Sequence, residues 1–360
     1  MTSCQISAKT ALGAALVLTS SIFFCPSGRA QTLRQEAERI GFLVGAAVQP
    51  GYLDQAAYAT TLAREYNMME AEDALKWMAL RPNETSFDFS GGDKLAGFAY
   101  EHGMKLRGHN LVWGIHNPKW LEQGQFTPQQ LNALLHQHIA KVMQHYRGKV
   151  FAWDVVNEAL DENGKLRDSI WYNQPGIGLA GKGTAYIEQA FRWAREADPR
   201  ALLFYNDGGA EVVNRKSDAI AAMIKDFRRR RVPIDGVGLQ MHLDLAADTH
   251  AIAANLERLG KLGVQIHITE MDVAVPLGPD GNVLHPDDLW HQAQIYRQVA
   301  KACLRVPRCT ALQTWGFTDK YSWIGWATNH QKGTALPFDR QYRPKAAFQA
   351  LFQTLATARR

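Results

Sequence analysis

The sequence predicts a single (β/α)8 barrel, an α/β fold, and three observations carry that prediction. Eight short apolar runs recur between residues 42 and 319. Amphipathic stretches of helical period separate them. Nearly every run ends in amides, carboxylates, histidines or indoles rather than in more apolar residues. Strands alternating with helices make a parallel sheet, and a closed eight-stranded parallel barrel carries its chemistry at the C-terminal strand ends. An open doubly wound sheet competes, but it needs a glycine-rich fingerprint after the first strand, and none is present.

The 360 residues are 46% hydrophobic and 21% charged, a globular composition of a length that one α/β barrel commonly uses. Residues 1–30 read as a secretory signal peptide: Lys9 is basic, residues 11–24 are apolar but too short to span a bilayer, and Gly28 and Ala30 precede a cut at Gln31. An uncleaved anchor is the alternative; lipoprotein processing at Cys25 lacks the small residues it needs. The catalytic barrel is therefore expected over residues 31–360, secreted or periplasmic, free of the membrane after signal removal, and monomeric. Removing Lys9 and Arg29 from 40 Lys and Arg, against 35 Asp and Glu, leaves a net charge of +3. So mild a balance does not point to nucleic acid. The run Phe227–Arg231 sits where a helix should end, and cations suit that dipole. Cys303 and Cys309, a close pair in an exported chain, read as a small-loop disulfide.

The predicted strands are residues 42–48, 66–71, 105–113, 150–159, 201–207, 235–243, 264–273 and 310–319. Helical patterns include 127–146, 185–199 and 287–304, the first opened by Thr127 as N-cap and Pro128 as first helical residue. Strand two delivers Glu72, Asp73 and Lys76 to the mouth. Strand three delivers His109, Asn110 and Trp113. Strand four delivers Asn157 and Glu158, strand five Asn206 and Asp207, and strand six Gln240 and His242. Strand seven ends in Glu270 and Asp272, strand eight in Trp315, with Trp323 and Trp326 following.

Such a mouth suits sugars, whose C–H faces lie on aromatic rings and whose hydroxyls need donors and acceptors. Glu158 and Glu270 end strands that lie nearly opposite, and hydrolysis of a glycosidic bond needs two carboxyl groups. Asn157 is placed to bond a sugar 2-hydroxyl. His242 and Asp272 are placed to form a chain that holds one carboxylate ionised.

At these residues the sequence resembles glycoside hydrolase family 10, the endo-β-1,4-xylanase family, over about residues 40–355. The segments that carry the likeness are "WDVVNEAL" (153–160) and "ITEMD" (268–272), supported by "RGHNLVW" (107–113), "DGVGLQMH" (235–242), "AREADPRALLFYND" (194–207) and "WGFTDKYSW" (315–323). The resemblance implies that Glu158 is the general acid/base and Glu270 the nucleophile of a retaining double displacement. It implies Asn157 as the 2-hydroxyl ligand, and Gln240 and His242 as groups that orient the nucleophile, with Asp272 behind His242. Glu72, Lys76, His109 and Trp113 match sugar ligands on the non-reducing side of the cut, and Trp315 and Trp323 match aromatic walls. Asp73, His116 and Asn206 fall among substrate-binding positions, and Cys303 and Cys309 match a disulfide seen in part of the family.

The sequence departs from the family at four places. Asp73 stands where an Asn is usual, and an ionised Asp accepts but cannot donate. After Trp113, Gly114 and His116 replace a usual His and Gln. Gly208 and Gly209 replace a usual Tyr-Asn. One reading is a rebuilt sugar subsite, with Asp73 paired to His116 and Gly114 making room for a substituted sugar; the other is neutral drift.

Three function classes follow: a secreted retaining xylanase acting on xylan or a related β-glycan, the same barrel turned to another β-glycoside, and a non-catalytic carbohydrate binder, which the persistence of both carboxylates disfavours. No cofactor is implied. A metal-dependent hydrolase would need clustered ligands, and His109 and His242 are singletons on different strands.

Overall fold

A computed structural model describes residues 31–359. The expected signal segment, with Cys4 and Cys25, lies outside the described residues. Eight parallel strands close a barrel: β1 Leu43–Val48, β2 Met68–Ala71, β3 Lys105–Trp113, β4 Val150–Asn157, β5 Leu202–Asp207, β6 Gly236–Leu239, β7 Gln265–Pro276 and β8 Cys309–Thr314. Each pairs in parallel with the next, and β8 closes on β1 through Leu43 opposite Ala311. The predicted barrel is the observed one.

Helices fill the crossovers. Pro128–His145 is capped as expected: Thr127 accepts from the Gln130 N–H, and the Gln130 side chain returns to the Thr127 N–H, the reciprocal pair of a capping box. It buries Leu131, Leu135, Ile139 and Val142, spaced as one helical face requires. Ala185–Ala197 and Asp288–Arg305 match the other two predicted helices. Cys303 at the end of the latter is bonded to Cys309 at the start of β8, with Cα atoms 5.2 Å apart. The basic run follows helix Arg215–Arg229, where Arg230 pairs with Asp226 and Glu188. Among the described residues no helix is long and apolar enough to cross a membrane.

Two strand ends differ from expectation, and both differences shape the site. The sixth predicted strand breaks after Leu239. Met241 takes a positive φ of 62°, and His242–Asp244 re-forms as a short strand beside the outer half of β7, His242 opposite Asp272. The eighth stops at Thr314, so Trp315 turns away over the mouth rather than continuing the ladder.

The barrel interior carries buried polar groups within strands that read as apolar runs. Arg107 is fully buried and donates to Asp154 at 2.5 and 3.2 Å and to His267 at 2.8 Å, with Glu70 at 3.3 Å. Gln313 donates to Glu70 and to the Thr269 carbonyl. Ladder irregularities fall between His109 and Val112, Asp154 and Val156, and Ile268 and Met271. Each lies just before or around a residue of the mouth. Bulges re-aim side chains in this way.

Candidate active site

Glu158 follows the last residue of β4 in a left-handed conformation, φ 53°, and its N–H donates to the Asn206 carbonyl at 2.9 Å. This turn lifts the carboxyl off the strand into the mouth. The carboxyl accepts from Gln240 Nε2 at 2.7 Å, Trp113 Nε1 at 3.2 Å and Asn157 Nδ2 at 3.3 Å.

Glu270 sits within β7 and is buried. Its Oε1 accepts from Asn206 Nδ2 at 2.7 Å, and its Oε2 lies 3.2 Å from His242 Nε2. The other imidazole nitrogen is 3.1 Å from Asp272, which also accepts from Trp323 Nε1 at 2.8 Å. Burial opposes charge on His242, but the two carboxylates outweigh it and hold the ring well above its ordinary pKa. It is an imidazolium. Burial likewise pushes the Glu270 carboxyl up, yet the His242 bond, the charges of His109 and His242 and the Asn206 bond together hold it below the usual range. Opposite charge and donated hydrogen bonds favour an ionised carboxyl.

The two acids are linked through amides. Asn206 Nδ2 donates both to Glu270 and to Asn157 Oδ1, the latter at 2.9 Å, and Asn157 in turn donates to Glu158. Thr269 fixes the Asn206 amide from behind at 2.8 Å. Gly238 makes that reach possible, because a Cβ there would lie 2.1 Å from Asn206 Oδ1. This corrects the expected role of Asn206. It is fully buried, its amide is spent on protein partners, and it orients carboxylates rather than facing sugar. Gln240 is also moved: its side chain serves Glu158, while its carbonyl accepts from the Glu270 N–H at 3.0 Å.

On the β2–β3 side, Lys76 pairs with Asp73 at 2.8 Å and its ammonium lies 5.2 Å from the Trp113 ring centre and 5.4 Å from that of Trp315. Burial and the Asp73 charge push Glu72 up to about 7, with Lys76 and Gln49 pulling against them. His109 is buried, Nδ1 held by Asp154 at 3.0 Å, its ring 5.3 Å from that of Trp315. The expected Asp73–His116 pair is absent among the described residues. Asp73 is taken by Gln49 and Lys76, and His116 stacks on Trp113 at 4.7 Å. Beside Gly114 lies a cavity of about 140 Å3 bounded by Val112, Glu158, Ser169 and Trp171. Asp207 does not face the mouth; it is buried on Lys216 and Tyr205. Glu70, His109 and Asp154 bring ligand-type atoms within 4.8 Å of one another, and Arg107 supplies the cation among them.

Comparison with known proteins settles the family. The model for glycosyl hydrolase family 10 matches residues 32–354. The chain belongs to glycosyl hydrolase family 10. As a family 10 protein it is a glycoside hydrolase. It is 40% identical over 324 residues to endo-1,4-beta-xylanase B of Thermotoga neapolitana, covering 89% of this chain and 90% of that one. It is 34% identical to an endo-1,4-beta-xylanase of Agaricus bisporus, covering 93% and 98%. Among solved structures, xylanase 10B of Thermotoga petrophila RKU-1 in complex with xylobiose superposes with a TM-score of 0.85 at 38% identity, covering 91% of this chain and 98% of that one.

Sequence reasoning missed the Glu70–Arg107–Asp154 cluster and Gly238, which admits Asn206, and it noted Gly208 without its consequence for Gln240. A charge inside three consecutive apolar strands was the available signal; its partners were not readable.

Proposed function

We propose that this glycoside hydrolase is an exported, retaining endo-β-1,4-xylanase that cuts internal bonds of xylan. The observation that carries the reading is the asymmetry of the two linked carboxyls. Glu270 is buried, ionised and held by an imidazolium, as a nucleophile should be. Glu158 is half-buried at the mouth, where a leaving oxygen or a water can reach it.

In the first step Glu158 gives its proton to the glycosidic oxygen while a Glu270 oxygen bonds the anomeric carbon and the C–O bond to the leaving sugar breaks. In the second, Glu158 takes a proton from water as the water oxygen attacks the same carbon and releases Glu270. Asn157 bonds the sugar 2-hydroxyl. Lys76, Trp113 and Trp315 grip the sugar on the non-reducing side. The names of the relatives support xylan as substrate.

A second reading has its own observation. The cavity beside Gly114 offers room next to Glu158 for a group that xylose lacks, and favours a substituted or hexose-containing β-glycan. The deciding experiment is the product profile on β-1,4-xylan beside a mixed-linkage glucan. Short xylo-oligosaccharides from internal cuts, lost in Glu270→Ala, support the first reading. Silence on xylan with turnover of the glucan rejects it. Export is tested by N-terminal sequencing of the secreted product, which should begin at Gln31.

A further inference from the structure

Glu211 is a buried acid that the proposed reaction does not use. It lies in the loop between β5 and helix Arg215–Arg229 and is 9% exposed. Its Oε1 accepts from the Met241 N–H at 3.2 Å. Burial pushes its carboxyl up, while its own backbone, the Met241 N–H and the charges of His242 and Lys216 pull against that rise. The loop is tied down from helix Thr249–Gly260. There the fully buried Asn255 donates to the Ala210 and Glu211 carbonyls at 2.8 and 3.1 Å. The carboxylate is thus an acceptor held in place.

Met241 is where the sixth strand breaks. Its φ of 62° is one that residues with side chains rarely adopt, and such a conformation persists only where its surroundings impose it. Backbone bonds supply part of the hold: the Gln240 N–H donates to the Asp207 carbonyl at 3.1 Å, and the Met241 carbonyl accepts from the Asp272 N–H at 3.3 Å. The Met241 N–H lies past the end of β6 and goes to a side chain, Glu211. A buried N–H left without a partner is costly. The residues on either side of this turn hold the two carboxyls. Gln240 donates to Glu158 at 2.7 Å, and His242 lies 3.2 Å from Glu270.

We propose that Glu211 is a positioning residue for the hydrolytic reaction. By holding the Met241 N–H it fixes the turn from which Gln240 reaches Glu158 and His242 reaches Glu270, and so sets the aim of both carboxyls at once. The inference rests on the reading of Glu158 as acid/base and Glu270 as nucleophile.

The test follows wild type, Glu211→Ala, Glu211→Asp and Glu211→Gln on an aryl β-xylobioside across pH. Alanine removes the acceptor. Aspartate keeps the charge but falls short of the N–H. Glutamine keeps an acceptor oxygen at the same reach. In Glu211→Ala and Glu211→Asp kcat should fall about tenfold or more, as for a lost bond to a charged group, with KM within about twofold. The acid limb of kcat/KM should move to higher pH, because a loosened His242 lets burial raise the Glu270 pKa. The other charges that Glu270 feels, on His109, Glu70 and Arg107, stand on β2 and β3. The limb therefore reports on His242. Glu211→Gln should restore both the rate and the limb.

A protein that had only lost stability would lose rate without moving its limb. An unmoved limb in Glu211→Ala and Glu211→Asp therefore overturns the proposal, whatever the rate. A limb that moves as far in Glu211→Gln overturns it too, since the charge and not the bond would then act. If Glu211→Ala does not fold, Glu211→Asp against Glu211→Gln gives the same contrast. A Glu270→Ala protein as active as wild type overturns the assignment of the carboxyls, and this proposal with it.

Discussion

Gly208 leaves the space that the Gln240 side chain occupies. A Cβ at position 208 would lie 2.3 Å from the Gln240 amide oxygen, and the nitrogen of the same amide is the donor 2.7 Å from Glu158. The absence of one carbon thus decides how the proposed acid/base is held. The clash is with the far end of a flexible side chain, so the fold should survive while the amide swings away.

Gly208→Ala is accordingly expected to lower kcat/KM about tenfold, the cost of losing one hydrogen bond to a carboxyl group. The loss should be larger for glycosides with poor leaving groups, which depend on proton donation, than for activated aryl glycosides. Equal losses across a leaving-group series would refute a role through Glu158.

His242 is expected to set the acid limit of activity. The imidazolium donates to Glu270 and holds its carboxyl below the ordinary range against the pull of burial. His242→Asn removes the charge, so the Glu270 pKa should rise. The acid limb of the kcat/KM profile should therefore move to higher pH, and activity near pH ~4.5, close to the ordinary glutamate value, should fall more than activity at neutrality. An acid limb that stays in place would mean that Asn206 and His109 suffice.

The fold was legible because an eight-fold alternation of apolar runs and amphipathic helices needs no long-range information. The acids were legible too, since Glu158 and Glu270 interrupt apolar strands where a barrel opens. The wiring between them was not. Gln240 was expected on Glu270 and sits on Glu158, because the chain breaks at Met241 and Gly208 leaves space. Asn206 was expected to face sugar and instead donates to Glu270 and to Asn157, which holds Glu158. Asp73 and His116 looked like a matched pair of departures, yet Lys76 and Gln49 lie closer to Asp73. Patterning reports which side of a strand a residue occupies; partner choice depends on register shifts and on cavities that glycines leave.

Glu72 and Asp73 give the sugar-gripping side a titration of its own. Glu72 is pushed up to about 7, by burial first and by the Asp73 charge second. It changes charge near neutral pH, so affinity for xylobiose should change across that range. Asp73→Asn removes the neighbouring negative charge, lowers the Glu72 pKa, and should move the transition to lower pH. It also frees Lys76 from its ion pair. Calorimetric titration of the Glu270→Ala protein with xylobiose over pH ~5.5–8.5, a range spanning the shifted Glu72 value, gives the answer. A transition that persists unchanged in Asp73→Asn would exclude Glu72 as its source.

Arg107 is the charge that the barrel interior cannot lose. It is fully buried between Asp154 and Glu70, and its third contact is His267. A buried ion pair contributes little net stability, but removing one partner strands the other, at about 3–5 kcal/mol. Arg107→Ala should cost that much in denaturant unfolding at neutral pH. The cost should also depend on pH. Burial raises the Asp154 pKa, but Arg107 and His109 outweigh it and hold it below its ordinary value. A depressed carboxyl contributes stability above its unfolded pKa and loses it as pH falls through the folded one. In Arg107→Ala that contribution is gone, so the gap from wild type should be widest near neutrality and should narrow as the pH drops below ~4, where the unfolded carboxyls are themselves protonated. A gap of constant size across that range would assign the loss to the cavity left by the guanidinium rather than to the stranded acids.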